Sequence, residues 1–457
     1  MQRLGNVDPL RGPILKNMLL FSFPVMAVGL LQMLFSAADT AVIGRFGHEG
    51  AISAIGASSS VILLAGGGLT SLSAGVTVVL GQLFGSGEKD RVSKLLHALP
   101  LTGALLGVAA ATLLILFATP ILTLIHCPQA LLSDARLYFR LYFAGLPFSM
   151  MLTFLAAALQ AKGESLPPLL FSLGAAVLNV GLNLLFVVAF DWNLFGVALA
   201  TVLSQAAGAV ALMAYLSTRR DELRLRVRKL RVFQGTGRVF SLGVPSALEG
   251  MILNLSGVVI AAAINRFDAV VIAGNTIGNT LEGLVAVTFS ALAGASAVFV
   301  SQNFGAGDLS RVRHTWRITL SATFLIAEIL GVALYAVSPW VCRVFTEDAA
   351  VIEAARVRMR YMCLGYGLCG LMNVASGCVR GLGETRIPLI ISLITSVGFR
   401  ITWIYTYARA QGTIGAIYLS YPLCWALNVA LTIPTFNWVY SRVTRKSCPE
   451  KGDGTTA

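Results

Sequence analysis

Carboxylates such as Asp39, Glu249 and Glu282 stand inside apolar stretches of this sequence, where an ionised group is costly. An acid within a lipid-embedded helix costs ~2.5–3.5 kcal/mol at its centre and less near its ends, so it faces a bundle interior or a wet cavity. Asp39 lies about one turn from the end of its apolar run. It reads either as a buried group that takes up a proton or a cation, or as an interfacial acid solvated beside Arg45. Asn179 and Asn183 are spaced i, i+4 and share one helix face. Two amides in lipid need partners, which suits either an inward-facing polar site or interhelical hydrogen bonding. Glu249 is about ten residues into its run, ~15 Å deep at the helical rise. Glu282 has Asn275 and Asn279 seven and three residues before it, on the same face. This acid–amide stripe reads as the lining of a cavity, with Glu249 as a second cavity acid. The competing reading is structural pairing, for example with Arg400, which lies within a predicted helix.

No enzyme constellation accompanies these groups. The stretch GSGEKDR at 85–91 does not fit the phosphate-loop pattern and follows a helix rather than a strand. Neither H-E-x-x-H nor G-x-S-x-G occurs, and His48, His97, His126 and His314 make no ligand cluster. The seven cysteines, Cys127, Cys342, Cys363, Cys369, Cys378, Cys424 and Cys448, are odd in number and lack a C-x-x-C pair. Most lie in apolar runs and read as small buried hydrophobes. No cofactor is expected.

The elements that must position these residues are membrane helices. Only 12% of the 457 residues are charged and 56% are hydrophobic, against about 25% charged in soluble proteins. The apolar runs are long enough to cross a hydrocarbon core of ~30 Å as helices, and barrel-type alternation is absent. The first run is too long for a cleaved leader. Six runs are expected at about 19–43, 51–81, 95–125, 134–159, 169–190 and 194–216. Six more follow at about 239–265, 269–302, 318–341, 352–379, 389–407 and 414–440. Trp316, Trp340 and Trp438 near predicted helix ends suit an aromatic belt. The formal charge of +13 could suggest nucleic acid, but most Lys and Arg lie in short loops, as membrane orientation requires. No nucleic-acid partner is expected; the partners are the lipid bilayer and small molecules, and the chain is expected to act as a monomer.

The chain is one module written twice. GQLFGSGEKDR at 81–91 returns as SQNFGAGDLSR at 301–311, with Gln82, Phe84, Gly85, Gly87, Arg91 and Val92 all offset by 220. KGESLPP at 162–168 meets LGETRIP at 382–388 in the same register, and Pro24 meets Pro245 at 221. Between the copies, residues 218–238 carry eight Lys/Arg against two acids. This gives an N-terminal six-helix lobe (1–217), a basic cytoplasmic linker (218–238), a C-terminal lobe (239–440) and a polar tail (441–457) whose end from Lys451 reads as disordered. An even number of helices per copy makes the repeat parallel, as in some secondary transporters. With the amino terminus inside, most Lys and Arg fall on the inner side, so both termini are expected in the cytoplasm.

ADTAVIGRFG at 38–47, the two glycine-rich turns, KGESLPP, PSALEG at 245–250, GNTIGNTLEG at 274–283 and CVRGLGETRIP at 378–388 together resemble the multidrug and toxic compound extrusion (MATE) transporters. The resemblance covers roughly residues 15 to 440. It is closer to the bacterial DNA-damage-inducible-type branch than to the NorM type. It implies two six-helix lobes in a V around a central cavity, in a bacterial plasma (inner) membrane, and export of organic, often cationic or amphiphilic, compounds against protons or sodium ions. It implies that Asp39 is the coupling acid, with Asn179, Asn183 and Thr201 around it. Asn183 is an amide where the family often has an acid, so an ion such as Na+ would meet Asp39, Asn179 and Asn183. Cys369 stands where the NorM branch carries an acid, so no NorM-style cation site is implied in the second lobe. A lipid-linked oligosaccharide flippase of related architecture is the nearest rival, and an intramembrane enzyme or receptor the rival from another class.

Overall fold

The computed structural model describes residues 5–48, 51–125 and 127–447. His126, Cys448 and the tail from Lys451 lie outside them. Among the described residues there is no strand, only an isolated bridge between Asn6 and Glu164. Ten helices are long and apolar enough to cross a membrane, and two bent pairs make twelve if each pair is one span. We number the spans α1 (Ile14–Phe46), α2 (Ala51–Gly85), α3 (Lys89–Leu116), α4 (Leu132–Ala144 with Leu146–Lys162), α5 (Leu166–Asn183), α6 (Asn193–Thr218), α7 (Gly237–Ile264), α8 (Ala269–Gly305), α9 (Leu309–Arg343), α10 (Ala349–Cys363 with Tyr366–Gly381), α11 (Arg386–Gln411) and α12 (Ile414–Ser447). Large apolar side chains such as Leu63, Leu116 and Ile329 are exposed on these helices. In water they would drive association, whereas lipid accepts them.

The polypeptide forms two compact units, Met1–Asn254 and Leu255–Ala457. The division falls inside α7, not at the basic segment where the sequence repeat changes copy. The reason is local packing: the segment after α6 is docked on the first unit. Leu223 and Leu225 are buried in its apolar core with Val76, Leu96, Leu155 and Leu216. His97 Nε2 accepts from Arg226 N at 3.0 Å, and the His97 carbonyl accepts from Arg231 N at 3.1 Å. Arg219 forks onto both Glu164 oxygens at 2.7 Å and pairs with Asp221, which Lys162 also holds. The start of α7 joins the same core through Val239 and Leu242. The second unit has its own core, in which Ile260, Leu281, Phe289, Met359, Tyr366 and Trp425 meet.

The duplication is visible at atomic resolution. α2 ends as Gly87 N donates to Phe84 O and Glu88 N to Leu83 O. α8 ends as Gly307 N donates to Phe304 O and Asp308 N to Asn303 O. The φ angles of Gly87 and Gly307 are +74° and +75°, a left-handed conformation that closes helix ends and favours glycine. The stretch is therefore a helix stop, not a ligand loop. α4 and α10 each bend, by 40° and 49°, at Gly145 and Gly365. In α4 the cause is Pro147, which has no N–H to continue the ladder. Each bend receives a glycine from a neighbour: a Cβ on Gly107 of α3 would meet Pro147 Cα at 2.5 Å, and one on Gly331 of α9 would meet Cys363 O.

Three details depart from the sequence expectation. The run expected at 95–125 breaks at Phe117 into α3 and a short helix, Ala118–Leu124. The runs at 169–190 and 389–407 are not uniform α-helix, because Leu184–Ala189, Leu393–Phe399 and Ile404–Ala408 are π-helical. Trp316 is not a belt residue: α9 starts at Leu309, which places Trp316 inside it, buried and stacked on Phe436 with centroids 3.8 Å apart. Trp340 and Trp438 are exposed as expected.

Candidate functional site

In the first unit the structure brings Asp39, Asn183, Asn179 and Thr201 together from α1, α5 and α6. The α5 face carrying Asn179 and Asn183 packs inward with Ala176, which buries both amides. Asn183 Nδ2 donates to Asp39 Oδ1 and to Asn179 Oδ1, the latter at 3.3 Å. Asn179 Nδ2 donates to Thr201 Oγ1 at 3.4 Å, and Thr201 Oγ1 donates to Val197 O at 3.1 Å. Asn183 is fully buried, yet its Oδ1 has no hydrogen-bond partner. The π-helical turn Leu184–Ala189 starts immediately after it, and such turns are frequent at functional sites. Tyr138 and Tyr142 of α4 lie within Coulombic reach of the carboxylate.

The Asp39 carboxylate is partly exposed and accepts from the buried Asn183 amide. An acid with one fixed donor and a neighbouring orphan oxygen can take a proton, or can offer oxygens to a hard cation. Asn183 Oδ1 is the atom that a bound ion or a protonated carboxyl would satisfy. Among the described residues no group of three or more His, Cys, Asp or Glu could hold a metal ion, so an ion at this site would meet one carboxylate and amide oxygens.

The second unit gathers Asn275, Asn279 and Glu282 around one residue that the sequence reading did not single out, Arg358 of α10. Its Nη1 donates to Asn275 Oδ1 at 2.6 Å, and its Nη2 donates to Asn279 Oδ1 at 3.4 Å and pairs with Glu282. The partner of Glu282 is thus Arg358, not Arg400. Arg400 Nη1 donates to Ser256 Oγ at 2.8 Å, and its guanidinium lies 4.6 Å from the Tyr421 ring centroid. Glu249 falls in the first unit and is buried. A signal for Arg358 was present: Val351, Ala355 and Met362, seven and three residues before and four after it, are buried on the same face. It was masked by Arg356 and Arg360, which make the segment look like a solvated helix end. Four of the six described cysteines, Cys342, Cys363, Cys378 and Cys424, are buried, and all six are free.

A bundle of apolar membrane-length helices, built twice, with polar clusters held inside each unit, is the architecture of a multi-pass membrane protein. The MatE family model matches residues 24–185 and 245–406, and the chain belongs to that family, whose members are transporters rather than enzymes. The two matched blocks keep the register of the repeat. The chain is similar to the "Probable multidrug resistance protein YoeA" of Bacillus subtilis, 21% identical over 93% of this chain and 94% of that protein. It is also similar to the "Probable multidrug resistance protein NorM" of Thermotoga maritima, 25% identical over 84% and 83%. A crystal structure of MATE in the bent conformation superposes with a TM-score of 0.86 at 17% identity, covering 96% of this chain and 97% of the other. The protein is a transporter of the multidrug-efflux family, with the all-helical fold of that family.

Proposed function

We propose that the protein is a secondary active antiporter of a bacterial plasma membrane. It exports organic compounds, cationic or amphiphilic, against protons or sodium ions by alternating access, as a monomer with both termini in the cytoplasm. The observation that carries the reading is the Asp39–Asn183–Asn179–Thr201 chain, a lone carboxylate docked on amides inside the first unit. Within the family, the proposed branch is the DNA-damage-inducible type rather than the NorM type, on the resemblance of the second-copy phrases. The two sequence repeats, 1–217 and 239–440, are the lobes of the cycle, with 218–238 between them and the tail 441–457 after them.

In this reading the ion arrives at Asp39 and neutralises it. The bond from Asn183 is then remade, and α1 changes shape at Pro24. Pro24 cannot donate to the Leu20 carbonyl, which accepts from Gly5 N at 3.2 Å instead, so α1 has a natural hinge there. The changed α1 favours release of the organic substrate. Ion and substrate must have different affinities in the two states, or no exchange is driven. The proposed substrate-contacting residues are Glu249 in the first unit and, in the second, Asn275, Asn279 and Glu282, which Arg358 positions. The test is dye export from reconstituted vesicles with proton and sodium gradients imposed separately. Export driven by either gradient supports antiport, and export indifferent to both refutes it.

A further inference from the structure

The second unit carries a buried charge that its own residues do not balance. Arg358 and Arg400 are 2% and 7% exposed. Both guanidinium groups lie over Tyr421, at 5.5 and 4.6 Å from its centroid. Glu282 is spent on Arg358. Among the described residues no carboxylate lies within ion-pair distance of Arg400. Its only hydrogen bond there runs from Nη1 to Ser256 Oγ, and its Nε, though buried, has no partner. A hydroxyl and an aromatic face solvate a cation partly, but an uncompensated charge and an orphan donor at this depth are costly.

The position of Arg400 is equally informative. In the first unit α1 and α5 are joined by Asp39 and Asn183, 144 residues apart. In the second unit the corresponding helices, α7 and α11, are joined by Ser256 and Arg400, also 144 residues apart. Each partner is shifted by 217 positions, within one helical turn of the repeat offset. π-helical segments flank both junctions: Leu184–Ala189 follows Asn183, and Leu393–Phe399 runs directly into Arg400. Where one copy places an acid among amides, the other places a guanidinium beside a hydroxyl. Of the residues around the two guanidinium groups, Asn279 is exposed and Glu282 and Tyr421 are partly so.

We propose that Arg400, with Ser256 and Tyr421, forms a subsite in the second unit for an anionic group, a carboxylate, sulfonate or phosphate, borne by an organic ligand. Planar guanidinium donors suit such groups, and Arg400 keeps an unused donor for one. The proposal rests on the export reading only for the fate of the bound ligand. It selects, among amphiphilic compounds, those that carry an acid.

The test is equilibrium binding of two matched dyes to the purified full-length protein, by fluorescence polarisation at neutral pH. Rhodamine B carries a carboxylate, and its ethyl ester is the same dye without that charge. Wild type should bind the acid roughly tenfold more tightly than the ester. Arg400→Gln should remove the preference, and Arg400→Lys, which keeps the charge without the fork, should keep part of it. Equal or weaker binding of the acid by wild type overturns the proposal, even if Arg400→Gln does not fold. A preference that survives in Arg400→Gln overturns it too. Transport is not read in this assay, so failure of the export reading leaves a separate signature, dye export indifferent to both gradients.

Discussion

At the scale of single residues, the two units hold their polar groups by different means. Asp39 relies on one buried amide, Asn183, whose two N–H bonds are divided between the acid and Asn179. Glu282 relies on a buried cation. Removing one member of a buried ion pair leaves the other uncompensated, at a cost of roughly 3–5 kcal/mol. Arg358→Met is therefore expected to lower the thermal midpoint of the detergent-solubilised protein sharply. Adding Glu282→Leu should recover part of the loss. A single variant that melts with wild type would show that Arg358 does not hold the α8 stripe in place. Asp39, Asn179 and Asn183 were legible in the sequence because a polar group in an apolar run has few innocent explanations. Arg358 was not, because its neighbours Arg356 and Arg360 supply one.

At the scale of elements, close approach and local docking explain what periodicity could not. Hydrophobic runs fix that helices exist, but bends at Gly145 and Gly365 and the π-helical turns depend on tertiary fit. Gly107 lies against the α4 bend with no room for a side chain. Gly107→Ala should destabilise by about 1–3 kcal/mol. Gly174→Ala on α5, where a Cβ would meet nothing within 4 Å, should be neutral or slightly stabilising. Equal midpoints for the two variants would contradict the packing argument. The docked segment after α6 makes a pH-dependent prediction. The Arg219 guanidinium hydrogen-bonded to Asp221 holds its carboxyl well below the usual carboxylate range. A depressed carboxylate adds stability above its unfolded value near ~3.9, and that stability fades as pH falls toward the folded value. Asp221→Asn should thus melt below wild type at pH 7, with the gap closing below about pH 4. A gap that stays constant across this range would remove the ion pair from the account. The sequence marked this segment as a boundary by its charge. Its buried Leu223 and Leu225, only two residues in a basic run, gave no pattern by which to see that it folds onto the first unit.

At the scale of the whole molecule, the repeat was the most legible feature. The 220-residue register found in loop phrases reappears as paired helix stops at Gly87 and Gly307. Duplication of the scaffold does not extend to charge: the α1–α5 junction carries an acid and the α7–α11 junction a guanidinium. The proposed orientation, with both termini in the cytoplasm, rests on the distribution of Lys and Arg. A green fluorescent protein fused to the carboxyl terminus should fluoresce in intact bacterial cells, and a dark but membrane-inserted fusion would reverse the assignment. In the proposed function, ion coupling falls on Asp39. The most direct measurement is gradient-driven dye export from vesicles containing wild type or Asp39→Asn, matched for protein and for leak. The amide preserves size and removes the titratable charge, so ion-driven export should fall at least tenfold, to the leak of empty vesicles, while dye binding persists. Export by Asp39→Asn at the wild-type rate, under the same proton or sodium gradient, would contradict the assignment of coupling to this residue.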